Sequence, residues 1–524
     1  MTETTNYPSI FNDVIGPVMR GPSSSHCAGA LRIGLLARYL MNENIEEVNV
    51  TFDPNGSLVT THESQGSDMG LFAGILGMEP DDFRLMTYRE EIEKSGIKIN
   101  INYESFNAKH PNTYKLNITS KTQRHEMIAI STGGGIIEVI EIDKAKVTIR
   151  GDLYELLIFT NDLSEIEKVR QLSGDSEPII NKGEKTFIEI KSLKMFSDEE
   201  ISKFTTIQGV DIVRQLKPVL PVLGQKKPEV PFTNVEGMLA YNKDKNLKLW
   251  ELAVHYESKR GDISYDEVFE KMLRINKIIL NSINNGLKGT KYDDRILPAQ
   301  SPNFKIKNDN KELIGNEIFN QIILYVSAIM ETKSSMGVIV AAPTAGSCGA
   351  LPGAIFATAF SLNKSPDEIA KAMLAAGMIG IFIAIKSTFA AESAGCMAEC
   401  GTGSGMAAAG LVHLAGGNLE QALGASSMAL QNVLGLVCDP IGNRVEAPCL
   451  SRNVMAATNA LSCANMALAN YLHLIPLDEV LETFDNVGRS IKRELRCTAL
   501  GGLSITNSAK KIEAVLIKTQ FKSC

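Results

Sequence analysis

The sequence predicts an α+β N-terminal portion that contains a small ferredoxin-like domain, followed by a mostly α-helical portion. Between residues 144 and 223 the hydrophobic pattern alternates between strand and helix in the order βαββαβ. After about residue 232, Ala, Leu, Met and Gly dominate and β-branched runs are few. The segment 217–231 holds four prolines and favours an extended connector. We therefore divide the chain into residues 1–143, residues 144–223, a linker at 224–231, and residues 232–524.

The individual elements follow from the same patterns. In the first portion, residues 47–52 and 128–142 are strand-like and short helices lie around them. The middle portion is predicted to hold strands at 154–160, 177–181, 186–190 and 210–216, and helices at 163–172 and 197–206. The last portion is predicted to hold helices at 251–285, 367–386, 419–434, 453–472 and 477–493.

Composition and charge exclude several classes of protein. Apolar residues make up 44% of the chain, so a large core can be buried, and the net charge of −7 provides no basic face for nucleic acid. Residues 1–17 lack the order of a signal peptide. The longest strongly apolar stretch, residues 371–386, is shorter than the roughly 20 residues that span a bilayer, and predicts a buried core helix. We expect a cytoplasmic protein with neither a nucleic-acid nor a membrane partner.

The cysteines are unevenly distributed. Eight of the nine lie between Cys348 and Cys524. Because disulfides are rare in a reducing compartment, these residues are expected to be core residues, nucleophiles or metal ligands. Cys396, Cys438 and Cys449 each have Gly or Pro nearby, which predicts loops or helix ends where a thiolate is available to metal. Their spacing matches neither a ferredoxin nor a zinc finger, so a structural role remains an alternative.

A Gly-Pro-Ser-Ser-Ser-His motif at residues 21–26 predicts the start of a helix. The hydroxyls of Ser23, Ser24 and Ser25, together with free backbone N–H groups, would form an anion site suited to a carboxylate. The alternative is plain helix capping, for which one serine is enough.

A Ser-Thr-Gly-Gly-Gly motif at residues 131–135 follows an apolar strand. Without side chains at the glycines, the backbone around Thr132 and Gly133 could approach a ligand closely, although a simple turn is the alternative. Neither this motif nor the glycines at 401–405 match a phosphate loop or a dinucleotide fingerprint. No lysine context suits pyridoxal phosphate, so we expect no such cofactor.

Taken together, these motifs resemble the bacterial iron–sulfur-dependent L-serine dehydratases (L-serine ammonia-lyases) over nearly the whole chain. The similar motifs lie at residues 15–19, 21–26, 131–135, 342–349, 394–399, 435–440, 446–449 and 499–503. The resemblance implies a β-type portion, an ACT-type domain in the middle, and an α-type catalytic portion at the C-terminal end. It also implies a small amino-acid substrate, and we expect a homo-oligomer.

The resemblance further implies a [4Fe-4S] cluster held by Cys396, Cys438 and Cys449. One iron would act as a Lewis acid on the hydroxyl of L-serine, a base would remove the α-proton, and the products would be pyruvate and ammonia. Ser23, Ser24 and Ser25 would hold the substrate carboxylate, with Thr132 and Gly133 in the same site. Cys524, near the end of a long tail, is a candidate to cover the open iron at rest.

Two departures from the family pattern affect the base and the substrate. Where the family has Gly-His-x-Thr-Asp, residues 64–68 read Ser-Gln-Gly-Ser-Asp, and glutamine cannot accept a proton near pH 7. His62 or His26 would replace the missing base, because imidazole titrates in the right range. The run that begins at Lys386 also departs from the family, and Lys386 or Glu392 would be the next candidates.

Three alternatives follow from these departures. The first keeps the chemistry but moves it to threonine or another β-substituted amino acid. The second is a cluster-bearing sensor or binding protein without turnover. The third concerns the ligand set alone, since Cys400 is close enough in sequence to rival Cys396.

Overall fold

The computed structural model describes residues 7–21, 23–63, 65–174, 176–225 and 229–520. Its contacts divide the chain into two compact units. The helical unit combines Met1–Pro22 with Lys227–Cys524, and the sheet unit is Ser23–Lys226. The mixed α+β character of the N-terminal portion and the mostly helical character of the C-terminal portion are confirmed.

The strands, in chain order, are β1 (Val18–Arg20), β2 (Ile45–Phe52), β3 (Lys98–Tyr103), β4 (Thr113–Ser120), β5 (Arg124–Gly133), β6 (Ile136–Ile142), β7 (Ala145–Ile149), β8 (Tyr154–Thr160), β9 (Ile179–Asn181), β10 (Phe187–Ser192), β11 (Val210–Leu216) and β12 (Val338–Val340).

The helices are α1 (Gly29–Met41), α2 (Leu58–Thr61), α3 (Ser67–Ile75), α4 (Tyr88–Ser95), α5 (Ile166–Leu172), α6 (Asp198–Thr205), α7 (Val235–Asn242), α8 (Leu249–Gly261), α9 (Tyr265–Lys288), α10 (Ser301–Asp309), α11 (Glu317–Ser334), α12 (Ala350–Ser361), α13 (Pro366–Lys386), α14 (Ala391–Cys396), α15 (Thr402–Leu414), α16 (Leu419–Gln431), α17 (Cys449–Leu468), α18 (Leu477–Ser490) and α19 (Asn507–Gln520).

The larger sheet of the sheet unit has the strand order β3-β2-β4-β5-β6-β7. Strands β2 and β3 are parallel and the other neighbours are antiparallel. Apolar residues alternate along β4 to β7 and pack into one core with α1 and α3. The run 128–142, predicted as one strand-like stretch, is a hairpin. Gly134 and Gly135 turn the chain there with φ angles of 58° and 83°.

The smaller sheet has the antiparallel order β11-β8-β10-β9. Its elements follow the predicted order βαββαβ, and the apolar sides of α5 and α6 pack against one face. Helix α6 starts where the sequence predicts, because Ser197 and Glu200 form a reciprocal capping box.

The helical unit is built around α15, which is buried along nearly its whole length and contacts α12, α13, α16 and α17. Helix α13 begins at a Ser365–Glu368 capping box with Pro366 in its first turn. It is long and apolar enough to cross a membrane, but 78% of its most apolar window is buried inside the protein. The predicted core helix is therefore confirmed.

The helical unit has one helix break and one strand pair that the sequence did not predict. The predicted helix at 251–285 is two helices, α8 and α9. Asp262 ends α8 with a φ of 50°, and Ser264 starts α9 with a capping box. In addition, β1 pairs with β12, and Val18 lies opposite Val340.

Glycines allow α1 and α3 of the sheet unit to cross closely. A Cβ atom added at Gly74 would lie 2.2 Å from the carbonyl oxygen of Leu31, and one added at Gly34 would lie 2.3 Å from that of Leu71. Real Cβ atoms do not approach an oxygen this closely. The crossing therefore depends on glycine at both positions.

We predict that Gly74→Ala destabilises the protein. Replacing glycine by alanine inside a helix normally stabilises the helix by about 1 kcal/mol. Here the added methyl group must push α1 and α3 apart, which costs about 1–3 kcal/mol. Urea unfolding followed by circular dichroism measures the difference, and Gly34→Ala should behave the same way. A variant that is more stable than the wild type would contradict the close crossing.

Candidate active site

Three cysteines of the helical unit lie where helices begin or end. Cys396 is the last residue of α14, Cys449 is the first residue of α17, and Cys438 lies in the loop that precedes α17. Gly395 has a φ of 70°, which breaks the helical path directly before Cys396. The predicted loop and helix-end positions are therefore confirmed.

The structure brings several sulfurs together. The ligand atoms of Cys396, Cys438 and Glu399 all lie within 4.8 Å of one another. The sulfur of Cys400 is 3.9 Å from that of Cys396, and both residues are buried with Cys438 in one small cluster. Cys497 joins this neighbourhood through its backbone N–H, which donates to the carbonyl of Cys438 over 2.8 Å.

These thiols influence one another's protonation. Hydrogen bonds with Cys400 and Cys438, and then the positive charge of Arg452, hold the pKa of Cys396 well below its usual range. Burial and the negative charge of Cys396 raise the pKa of Cys449. Cys396 is thus the member of the group whose pKa is lowered.

Charged side chains surround the sulfurs. Glu399 accepts a hydrogen bond from Thr344 Oγ1 over 2.7 Å. Its pKa is raised to about 8, first by burial and then by the negative charge of Cys396. Lys333 is fully buried and donates to the carbonyl of Val445. The positive charge of Lys333 also acts on Cys449 and Glu399.

A buried amide ties these segments together. The Nδ2 atom of Asn453 donates to the carbonyls of Gly346 (2.8 Å) and Cys449 (2.9 Å), and its Oδ1 accepts from the N–H of Ala350 (3.0 Å). Nδ2 also lies 3.5 Å from the sulfur of Cys400. Asn453 therefore fixes the start of α17, and with it the position of Cys449.

A second group of predicted site residues lies in the sheet unit. A wide helical turn at Ser24–Ala28 leads directly into α1, so the predicted helix start is confirmed. The side chains of Ser24 and Ser25 lie outside the described part of the chain. His26 is buried, with Nδ1 2.9 Å from Ser23 Oγ and Nε2 3.0 Å from Thr61 Oγ1. Burial lowers the pKa of His26 to about 4.

His62 lies directly after α2 and faces two partners. Its Nδ1 is 2.8 Å from Asp68 Oδ1 and 2.9 Å from Asp68 Oδ2. Its Nε2 is 2.8 Å from the hydroxyl of Tyr103. The carboxylate of Asp68 therefore orients the imidazole ring.

The glycine-rich motif forms the turn between β5 and β6. Gly133 and Gly134 have positive φ angles and open space where a Cβ would lie. The start of α1 approaches this hairpin closely, because a Cβ on Gly29 would lie 2.5 Å from Ser131 Oγ. The serine-rich turn and the glycine-rich turn therefore come together, and the His26–Thr61 contact brings the His62 segment to the same place.

The remaining candidates are Lys386, Glu392 and Cys524, and the charge of Glu392 acts on Glu399 of the sulfur group. Lys386 ends α13 with its Nζ 3.8 Å from Glu482, and Glu392 is exposed in the first turn of α14. Cys524 lies outside the described residues. Asp68 and Tyr103, which the sequence did not single out, join the His62 site. Asp68 occupies the position of the aspartate in the family motif, whereas no sequence signal marks Tyr103.

The donor set of the helical unit suits a thiophilic metal centre. Soft thiolates select iron–sulfur clusters, zinc or copper over hard cations. Because its pKa is lowered, Cys396 is readily available as a thiolate ligand. The positive charges of Arg452 and Lys333 offset the negative charge that further thiolate ligands would add. The buried sulfurs of Cys396, Cys400 and Cys438 therefore suit the cluster that the family resemblance implies.

Comparison with known proteins defines the class of the chain. Residues 13–141 match the family model of the serine dehydratase beta chain, and residues 244–504 match that of the serine dehydratase alpha chain. The chain is therefore a lyase that carries both chain types in one polypeptide. It belongs to the serine dehydratase family.

Individual relatives agree with this assignment. The L-serine dehydratase of Streptomyces coelicolor is 24% identical over 501 residues, which cover 93% of this chain and 96% of the relative. The L-serine dehydratase alpha chain of Peptoniphilus asaccharolyticus is 35% identical over 52% of this chain and 94% of its own length. The probable L-serine dehydratase alpha chain of Bacillus subtilis is 33% identical over 54% of this chain and 94% of its own length.

The buried His26 gives a prediction for stability against pH. Its pKa of about 4 lies below the usual value of about 6.5. Between these values the unfolded chain binds a proton that the folded chain does not, so the free energy of unfolding falls as the pH drops. We predict that, from pH 7 to pH 4.5, the free energy of unfolding falls by roughly 2–3 kcal/mol more in the wild type than in His26→Gln. Urea unfolding at both pH values measures this, and equal losses would contradict the assignment.

Proposed function

We propose that this chain is an L-serine ammonia-lyase that converts L-serine into pyruvate and ammonia with the help of a [4Fe-4S] cluster. The observation that carries the proposal is that ligand atoms of the buried Cys396 and Cys438 and of the half-buried Glu399 lie within 4.8 Å of one another. It occurs in a chain whose relatives in several bacteria are named L-serine dehydratase. We place the enzyme in the cytoplasm as a homo-oligomer.

Cys396, Cys438 and Cys449 would hold the cluster. When bound, the cluster supplies a Lewis acid that makes the substrate hydroxyl a better leaving group. Cys400 would remain a thiol, because its hydrogen bond with Cys396 and its burial raise its pKa, and its sulfur lies beside the amide of Asn453. Cys524 remains the candidate for covering the open iron in the resting enzyme.

The sheet unit would bind the substrate and remove its α-proton. The serines at 23–25 would bind the carboxylate at the start of a helix, where N–H groups are free, and Thr132 and Gly133 lie on the neighbouring turn. We assign the base to His62 rather than His26. His26 lies between the hydroxyls of Ser23 and Thr61, and burial lowers its pKa to about 4, whereas His62 is oriented by the carboxylate of Asp68.

We propose an ACT-type domain for residues 144–223. The antiparallel order β11-β8-β10-β9, with both helices against one face, supports a ferredoxin-like arrangement of these elements. Buried charges lie on the opposite face, where Lys191 Nζ is 3.0 Å from Glu189 Oε1.

The activity is tested with protein purified without oxygen and supplied in turn with L-serine, D-serine and L-threonine. We predict release of pyruvate and ammonia in equal amounts from L-serine, and a loss of about 10²–10⁴ in kcat for His62→Gln, the usual size of general-base catalysis. If L-threonine is turned over faster than L-serine, threonine is the substrate instead. Binding of serine without ammonia release would instead indicate a sensor.

The ligand set is tested separately by iron content and visible absorption. We predict that Cys396→Ser, Cys438→Ser and Cys449→Ser each lose the cluster. Cys463→Ser is the matched control, because Cys463 is also buried but lies in α17 beside Asn432 and outside the sulfur group. Cys400→Ser is expected to keep its iron. A cluster that survives loss of Cys396 but not of Cys400 would reverse the assignment between these two residues.

A further inference from the structure

The imidazole of His62 has both nitrogens engaged. Nδ1 faces the carboxylate of Asp68, so this nitrogen carries the proton and donates it. Nε2 therefore holds the lone pair, and it accepts from the hydroxyl of Tyr103 over 2.8 Å. The atom expected to act as the base is already covered by a phenol.

The hydroxyl of Tyr103 remains protonated in this position. Burial raises the pKa of Tyr103, and the negative charges of Asp68 and Glu63 raise it further. The phenol is thus the donor and the imidazole the acceptor. The order Asp–His–hydroxyl is that of the hydrolase triads, with tyrosine in the place of serine.

His62 and Tyr103 differ in how far their side chains are exposed to solvent. The side chain of His62 is only 12% exposed, and its ring lies against Phe52, with the ring centroids 5.1 Å apart. Tyr103 is 51% exposed. It is the last residue of β3 and lies opposite Phe52 in the parallel pair with β2, which fixes its backbone. Tyr103 is therefore the more accessible of the two side chains.

We propose that Tyr103 is a further catalytic residue, whose hydroxyl oxygen takes the α-proton of the substrate while its own proton passes to Nε2 of His62. The inference rests on the proposed function and deepens it. In this step the Cα–H bond breaks and a new O–H bond forms on Tyr103, whose original O–H bond breaks as Nε2–H forms. The electron pair of the Cα–H bond becomes the Cα–Cβ double bond, and the Cβ–O bond breaks to release the hydroxyl group as hydroxide. Asp68 stabilises the resulting imidazolium.

The test compares Tyr103→Phe with His62→Gln in cluster-loaded enzyme. If Tyr103 is the terminal group, Tyr103→Phe lowers kcat by about 10²–10⁴, the usual size of general acid–base catalysis, with KM nearly unchanged. If His62 acts directly on the substrate, removing the phenol uncovers Nε2, and kcat stays within threefold of the wild type or rises. That second result would overturn the proposal and leave the lyase activity intact.

Two controls keep the test specific. Tyr88→Phe is the matched control, because Tyr88 lies in the same unit and its hydroxyl accepts from Arg89 over 3.0 Å. It should leave kcat unchanged. Unchanged iron content and circular dichroism in Tyr103→Phe exclude loss of the cluster or of the fold as the cause of lost activity.

A double variant separates a relay from two independent contributions. Residues that act as one unit show strongly non-additive effects on kcat. Tyr103→Phe combined with His62→Gln should therefore be about as slow as the slower single variant. If the double variant instead loses the product of the two single-variant losses in kcat, Tyr103 and His62 act independently and the proposed proton relay is wrong. Absence of pyruvate release from wild-type enzyme would instead count against the proposed function itself.

Discussion

The arrangement of the cysteine group depends on the hydrogen bonds of one buried amide. Asn453 is fully buried, and burying an amide without partners costs several kcal/mol. Its bonds to Gly346, Ala350 and Cys449 compensate for this only when the turn before α12 and the start of α17 are both in place. The position of Cys449 is thus set by a residue that carries no sulfur.

Charged side chains of the same unit hold the loop and helix that carry Cys438 and Cys449. Arg452 contacts Asp439 over 2.6 Å and the carbonyl of Val437 over 2.9 Å. Glu446 accepts two backbone N–H groups, from Ile296 and Leu297. Removing one partner of such a buried pair leaves an uncompensated charge, which is strongly destabilising. A chain that retains these charges in its core retains them at a cost in stability, as functional sites commonly do.

The sequence predicted local features well and long-range ones poorly. Strand β8 was predicted to the residue, and the helix-end positions of Cys396 and Cys449 followed from nearby glycine and proline. These features depend on neighbours in sequence. The break between α8 and α9 was missed although local signals mark it: Gly261 and Asp262 end α8, and Ser264 and Glu267 form the capping box that starts α9.

The partners of His62 show the same limit within the candidate site. Asp68 is close in sequence and sits within a recognisable motif, so it could have been paired with His62 beforehand. Tyr103 reaches the ring only because β3 adds in parallel to β2 and carries its last residue to Phe52. No pattern within either segment encodes that pairing. The hydrogen bond between Tyr103 and His62 is therefore visible only in the folded chain.

The pairing of β1 with β12 has a consequence for synthesis on the ribosome. Val18 emerges early, but its partner Val340 is made only after the whole sheet unit. At about 5–20 residues per second, β1 waits roughly 15–65 s for the strand that completes its ladder. During that time the sheet unit can fold as an insertion within an unfinished helical unit. The first residues made are thus among the last to reach their final place, and an exposed strand edge is present throughout the delay.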